Sequence, residues 1–436
     1  DVERSRGLGD VYKRQIISIL ALLLLRFAGM SRVCREEQAP YCAPSFYAYQ
    51  ATTKFADNPA YALSGPATNS PYALAAAYLF AFAMADILRR ILKPSHAHLS
   101  SASTLLTWII RPALLGSSGF WLADWVHGLE QLDEATRSTF LVIKIWTARA
   151  VLFLLVAGAW YWYLSPLSLS VLREPTQKRD APPKVALLGF GNTFGAAFLL
   201  FTSLAFSLLF LLSQPMGQLA LSACFVAMVL IAELGDSERD ARLLAASKMP
   251  NAKDLSASPS HAPSLLEIVC IGLLGFVAFF STGHQATFTA IQWRVAFVGF
   301  PVVTYPWSPL FVVLNAFGPL SILPAFGVVL LTLWNVAPTR AKVQQEETGH
   351  VRPMRLPGDI LRSALGLLLY VGVLTWSAAL WAWFFRRHLM LFKIWVPRYM
   401  MAGLGLLITD VALLGAVAVA WWIAARTAKA FGTLYT

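Results

Sequence analysis

Apolar residues in this chain come in long runs rather than in alternation with polar ones. Ten stretches read as helical spans, near 16–30, 71–88, 101–123, 140–163, 186–212, 218–234, 264–282, 308–334, 361–384 and 400–424. At 1.5 Å per residue, about 20 such residues match the roughly 30 Å of hydrocarbon in a bilayer. The runs are too long and too uniformly apolar for barrel strands, and a backbone in lipid must pair its own polar groups, so helices are the predicted spans. The fold class is therefore all-α: a polytopic membrane protein with about ten transmembrane helices. The stretch "AIQWRVAFVGFPVVTYPWSP", 290–309, is too short and too rich in Pro for a clean span, and reads as re-entrant or interfacial.

Composition strengthens this picture. The chain has 436 residues, 57% hydrophobic and 13% charged, about half the charge of a soluble domain. The connectors 89–100, 164–185, 235–263, 335–360 and 425–436 hold 17 Lys and Arg, and the alternate set holds 9. The excess marks the cytosolic side, which puts the C-terminus in the cytosol and Cys34, Cys42 and His284 in the lumen. The net charge of +12 is mostly this topology signal. Basic residues in short connectors between spans argue against nucleic-acid binding. The opening "DVERSRGLGDVYKRQ", 1–15, is polar and reads as a non-native leader, leaving 16–436 as the multi-span domain. Segments 173–184 and 235–263 read as flexible connectors.

No catalytic or metal-binding set is visible: no HExxH, Cys/His zinc pattern, Walker loop or GxSxG elbow. Glycines in "GFGNTFG", 189–195, sit inside a predicted span and read as close helix packing or a kink. Cys224 and Cys270 fall in apolar runs and read as buried thiols. Cys34 and Cys42 bound "CREEQAPYC" and would close a small ring only in an oxidising compartment. Charges within spans are costly. Arg111, before Pro112, marks a broken or kinked helix; Lys144 is placed to snorkel; Arg149 and Asp410 lie near span centres. These three intramembrane candidates, Arg111, Arg149 and Asp410, either line a polar pocket for a lipid headgroup or fix packing by internal pairing. Two clusters fall on the lumenal side. "STGHQATFTAIQW", 281–293, places His284, Gln285 and Thr287 at a helix end, as a polar cap or as groups for a headgroup or a docking domain. "FFRRHLMLFKIWVPR", 384–398, places Arg386, Arg387 and His388 where positive charge should be scarce; it is a phosphate-binding cluster or an interfacial anchor.

"STGHQATFTAIQW" running on to "AFVGF", "CREEQAPYC" and "RRHLMLFKIWVPR" together resemble the glycosylphosphatidylinositol (GPI) ethanolamine phosphate transferase 3 family, from about residue 20 to the C-terminus. The resemblance implies a multi-pass enzyme of the endoplasmic reticulum membrane that acts in GPI-anchor biosynthesis. It moves phosphoethanolamine from phosphatidylethanolamine to the third mannose of the GPI precursor. It implies chemistry in a lumenal alkaline-phosphatase-like domain with two zinc ions and a Thr nucleophile, and a small phosphatidylinositol-glycan class F-type membrane subunit as partner. That catalytic domain is absent from this sequence, so no catalytic residue and no zinc ligand carries over, and this chain alone is expected to be inactive. The resemblance also supports a Cys34–Cys42 ring.

The alternative is a polytopic lipid transporter or scramblase. Transporters tend to pair broken helices in two related halves, and the sequence shows no counterpart to the break at Arg111–Pro112.

Overall fold

The computed structural model describes residues 2–29, 71–129, 132–174, 184–247, 262–284, 291–336, 339–340, 356–388, 391–431 and 434–435. Cys34, Cys42, Gln285 and Thr287 lie outside them. Each predicted span falls on a helix, as backbone self-pairing in lipid requires. In chain order these are α1 (Val2–Gly29), α2 (Pro71–Leu92), α3 (Ser101–Leu105) continuing through a π-helical turn at Leu106–Ile110 into α4 (Arg111–His127), α5 (Glu134–Leu164), α6 (Thr193–Leu212), α7 (Pro215–Ser247), α8 (Leu265–Ser281), α9 (Trp307–Phe317) continuing through a second π-helical turn at Gly318–Ile322 into α10 (Leu323–Leu333), α11 (Leu356–Phe384) and α12 (Val396–Phe431). Two short antiparallel pairs connect helices: β1 (Ser170–Glu174) with β2 (Lys184–Leu188), and β3 (Thr339–Arg340) with β4 (Leu434–Tyr435).

Among the described residues, eight helices are long and apolar enough to cross a membrane. The two predicted spans that fall short are α1 and α8. The apolar part of α1 is bounded by Lys13, Arg14 and Arg26, and the helix runs on through residues 2–15, where Lys13 Nζ donates to Glu233 Oε1 at 2.6 Å. The 17 residues of α8 extend about 26 Å.

The bundle has a buried centre and an exposed rim. In the most apolar stretch of each helix, 83% of α6 and 89% of both α7 and α9–α10 is buried, against 17% of α5 and α11 and 28% of α12. Helix α6 is apolar on every face, and its hydroxyls turn inward on its own backbone: Thr202, Ser203 and Ser207 donate to the carbonyls four residues earlier at 2.7–2.8 Å. Gly272 of α8 lies against Tyr370 of α11, and Gly366 of α11 against Ile268, so these two helices run parallel. The Thr332–Ser363 contact joins the end of α10 to the start of α11, so these two run antiparallel, whereas the Ser321–Gly405 contact at one end and the β3–β4 pairing at the other set α10 parallel to α12. The C-terminal ends of α8 and α11 therefore share one end of the bundle.

Four sequence expectations need correction. The span predicted from 186 starts at Thr193, because Gly189 takes φ +88° and 184–188 pair as β2; Gly195 alone shows the predicted close helix packing, since a Cβ there would stand 2.8 Å from Leu333 O. Residues 235–247, read as connector, continue α7. Cys224 is buried, but Cys270 is exposed, because α8 turns that face, with Leu266 and Leu273, away from the bundle. The π turn before Arg111–Pro112 does have a counterpart, the π turn that starts at Gly318–Pro319. Counted along the ten spans expected from the sequence, the two breaks fall in the third and the eighth, the third of each set of five.

Candidate functional site

The polar segment after α8 is first of all a helix stop. Gly283, at φ +88°, is the left-handed residue past the helix end. His284 N–H donates to Phe279 O and Gly283 N–H to Phe280 O, both at 3.2 Å, the paired bonds of a Schellman cap. The His284 ring stacks on Phe279 at 5.3 Å, the side-chain contact that accompanies such caps. The opposite end of α8 is set by a capping box, Ser264 with Glu267.

That stop carries His284 inward. The side chain is 3% exposed; its Nε2 lies 3.0 Å from Asn315 Oδ1 and its Nδ1 2.9 Å from Thr282 Oγ1. Asn315 Nδ2 donates to Leu212 O at 2.8 Å, so its Oδ1 is the acceptor and His284 carries its proton on Nε2. Leu212 ends α6, and the last four carbonyls of a helix have no partner within it. Here all four are met. Ser213 Oγ donates to Leu209 O at 2.8 Å, Gln218 Nε2 to Phe210 O at 2.9 Å, Trp121 Nε1 to Leu211 O at 3.0 Å and Asn315 to Leu212 O. Water would ordinarily do this work, and the buried end of α6 replaces it with side chains from α4, α7 and α9. Gln292 Nε2 adds a bond to Thr282 O at 2.9 Å, tying the 291–306 segment to the same knot.

Burial holds the His284 imidazole below its usual pKa range, against the raising effect of its bond to Asn315. The unfolded side chain titrates near 6.5. Stability from this site is therefore complete above about pH 6.5 and declines as pH falls from there toward the lower folded value. We predict that the unfolding midpoint in detergent falls between pH 7.5 and 5.5, and that His284→Ala flattens this dependence. Equal slopes in the two proteins would refute this assignment.

The cluster at the end of α11 lies at the same end of the bundle. Helix α11 ends in an aromatic stack, with Trp381 on Phe385 at 5.4 Å and Phe385 on Trp395 at 4.8 Å. Arg386 sits over Trp383 and Arg398 over Trp395 at 5.1 and 5.7 Å. Arg386, Arg387 and His388 are exposed. The two clusters differ in burial: His284 lies within the protein, and the arginines lie on its surface. The intramembrane candidates diverge as well. Arg111 Nη2 pairs with Asp86 Oδ1 at 2.5 Å. Arg149 Nε donates to Gly299 O at 2.9 Å and its guanidinium lies over Trp146 and Phe300, pinning the non-spanning 291–306 segment to α5. Asp410 Oδ1 is buried without a hydrogen-bond partner. Lys144 does not snorkel; it pairs with Asp124 at 2.8 Å, with both side chains largely buried. Among the described residues no group of three or more His, Cys, Asp or Glu side chains is placed to hold a metal.

This architecture defines a multi-pass membrane protein. No protein-family model matches the chain, and no solved structure matches it significantly. Curated relatives do match. GPI ethanolamine phosphate transferase 3 of Eremothecium gossypii is 28% identical over 398 residues, 91% of this chain and 34% of the relative. The Saccharomyces cerevisiae protein of the same name is 27% identical over 398 residues, 90% of this chain and 34% of the relative. The catalytic subunit of human GPI ethanolamine phosphate transferase 3 is 28% identical over 285 residues, 59% of this chain and 25% of the relative. The chain is a relative of the GPI ethanolamine phosphate transferase 3 proteins, and it spans about a third of the length of the first two of them.

Proposed function

We propose that this chain is the membrane platform of a phosphoethanolamine transferase in the endoplasmic reticulum. Phosphoethanolamine moves from phosphatidylethanolamine to the third mannose of a GPI precursor, and the chemistry belongs to the two-thirds of the relatives' length that this chain does not span. The platform receives its lipids at the His284 end, which the charge bias makes lumenal, and a phosphatidylinositol-glycan class F-type subunit is its partner. The observation that carries this reading is the similarity to transferase 3 proteins across nine-tenths of the chain. The exposed Arg386, Arg387 and Arg398 support it, since guanidinium forks suit phosphodiester oxygens. The buried His284 knot lies at the same end of the bundle.

The test is replacement. The complete protein that contains this sequence is expressed in cells lacking transferase 3, and GPI precursors are examined by mass spectrometry. Restored phosphoethanolamine on the third mannose is the expected result; precursors that stay unmodified despite normal membrane insertion would overturn the reading. The two π-helical breaks in matching positions favour a second reading, a lipid transporter or scramblase. In vesicles with a fluorescent phospholipid, that reading requires the protein to expose both leaflets to a membrane-impermeant quencher. The platform reading requires only one leaflet to be quenched.

A further inference from the structure

A second charged site lies at the other end of the bundle, between α2 and the first π-helical turn. Asp86 Oδ1 accepts from Arg89 Nη1 at 3.1 Å and from Arg111 Nη2 at 2.5 Å. Thr107 Oγ1 donates to Ser103 O at 2.6 Å and accepts from Arg89 Nη2. A single carboxylate oxygen thus serves two guanidinium groups, and Arg111 Nε is buried without a partner. Residues 86–111 hold Arg89, Arg90, Lys93 and Arg111 against Asp86 alone. Arg90 and Lys93 are exposed at the end of α2 and Arg89 lies in its last turn; Arg111 lies deeper, ten residues past Ser101, about 15 Å along the axis. The site opens to the membrane rather than to the core. Phe82, beneath the Arg111 guanidinium at 5.1 Å, is 54% exposed and Trp108 is 72% exposed. A charge at the depth of Arg111 is costly, and the one carboxylate oxygen that meets it is shared with Arg89. The π turn belongs to the same construction, because Thr107 lies within it and Arg111 follows it directly; such turns recur at functional sites.

We propose that Asp86, Arg89, Thr107 and Arg111 form a binding site for the phosphate of a membrane phospholipid, with its acyl chains lying along Phe82 and Trp108. Two arginine forks offer donors beyond those that Asp86 uses, and bidentate guanidinium–phosphate bonding fits them. The aromatic rim supplies the apolar contact that free phosphate would not use. This site is distinct from the His284 end and stands whether or not the transferase reading holds.

The test is thermal stabilisation of the protein purified in detergent, with three probes: dioleoyl phosphatidylglycerol in the micelles, inorganic phosphate, and phosphate-free diacylglycerol. The phospholipid is expected to raise the unfolding temperature, and the other two to leave it unchanged. Stabilisation by inorganic phosphate alone would replace the lipid with a soluble anion and overturn the proposal. Arg111→Gln should weaken the apparent phospholipid affinity about tenfold. Asp86→Asn guards against a variant that simply fails to fold, and it separates the two explanations. Freed of their carboxylate, the arginines should hold phospholipid more tightly. A purely structural ion-pair network predicts the opposite, a less stable protein with no gain in lipid response. That outcome, or unchanged affinity in Arg111→Gln, would sink the site.

Discussion

Asn315→Leu should destabilise the protein by about 2–3 kcal/mol, because it strands two buried groups at once. Leu212 O loses its donor and His284 Nε2–H loses its acceptor. Hydrogen bonds between membrane helices average well under 1 kcal/mol, since the unfolded helices find other partners in the bilayer. The larger figure applies here because these groups lie in the protein interior, where no lipid headgroup or water substitutes. His284→Ala should cost less, about 1 kcal/mol, since Asn315 keeps its bond to Leu212 O and the Thr282 hydroxyl, released from His284 Nδ1, turns its proton to Ala278 O or Phe279 O. Denaturation in mixed micelles, followed by helical signal, gives both values. If His284→Ala proves the more damaging change, the cap on α6 is not what the knot is for.

Gly275→Val should cost about 3 kcal/mol or more. A Cβ at Gly275 would stand 2.9 Å from Leu320 O and against the Pro324 ring, at the second π turn. Backbone and proline cannot rotate away as a flexible side chain can, so α8 must move, and overpacked cores lose roughly 1–3 kcal/mol even where neighbours can adjust. Gly372, Gly403 and Gly415 are the control. Nothing lies within 4 Å of a Cβ there, and Gly→Ala should stabilise each helix by up to about 1 kcal/mol through propensity. The same denaturation series measures the contrast, and a Gly275→Val protein as stable as Gly372→Ala would contradict the packing described for α8.

The spans were legible because lipid requires long apolar segments whatever their tertiary neighbours. Their ends were less so. A helix end was legible in "STGHQATFTAIQW", but the partners of His284 were not: Asn315 is 31 residues further on, and Gln218 and Trp121 reach the same carbonyl row from two other helices. Capping a buried helix end is a tertiary act, and spacing along the chain carries no trace of it. Arg111–Pro112 announced its break, and Gly318–Pro319 carried a comparable signal inside an apolar run that read as continuous. Residues 235–247 looked like connector because they are charged, yet Glu233, Asp236 and Arg239 recur at helical spacing, and they bind Trp334 Nε1, Asn335 Nδ2 and Leu331 O beyond the membrane-facing core.

The division of labour at the His284 end is tested most directly in the complete protein, by measuring phosphoethanolamine transfer per membrane-inserted molecule. The paired change Arg386→Ala and Arg387→Ala should lower transfer per molecule about fivefold at unchanged abundance, a modest loss because both side chains are exposed and solvent screens them. His284→Ala should do the reverse, lowering abundance while each inserted molecule transfers normally. Full transfer without the two arginines, or abundant but inactive protein without His284, would contradict the account.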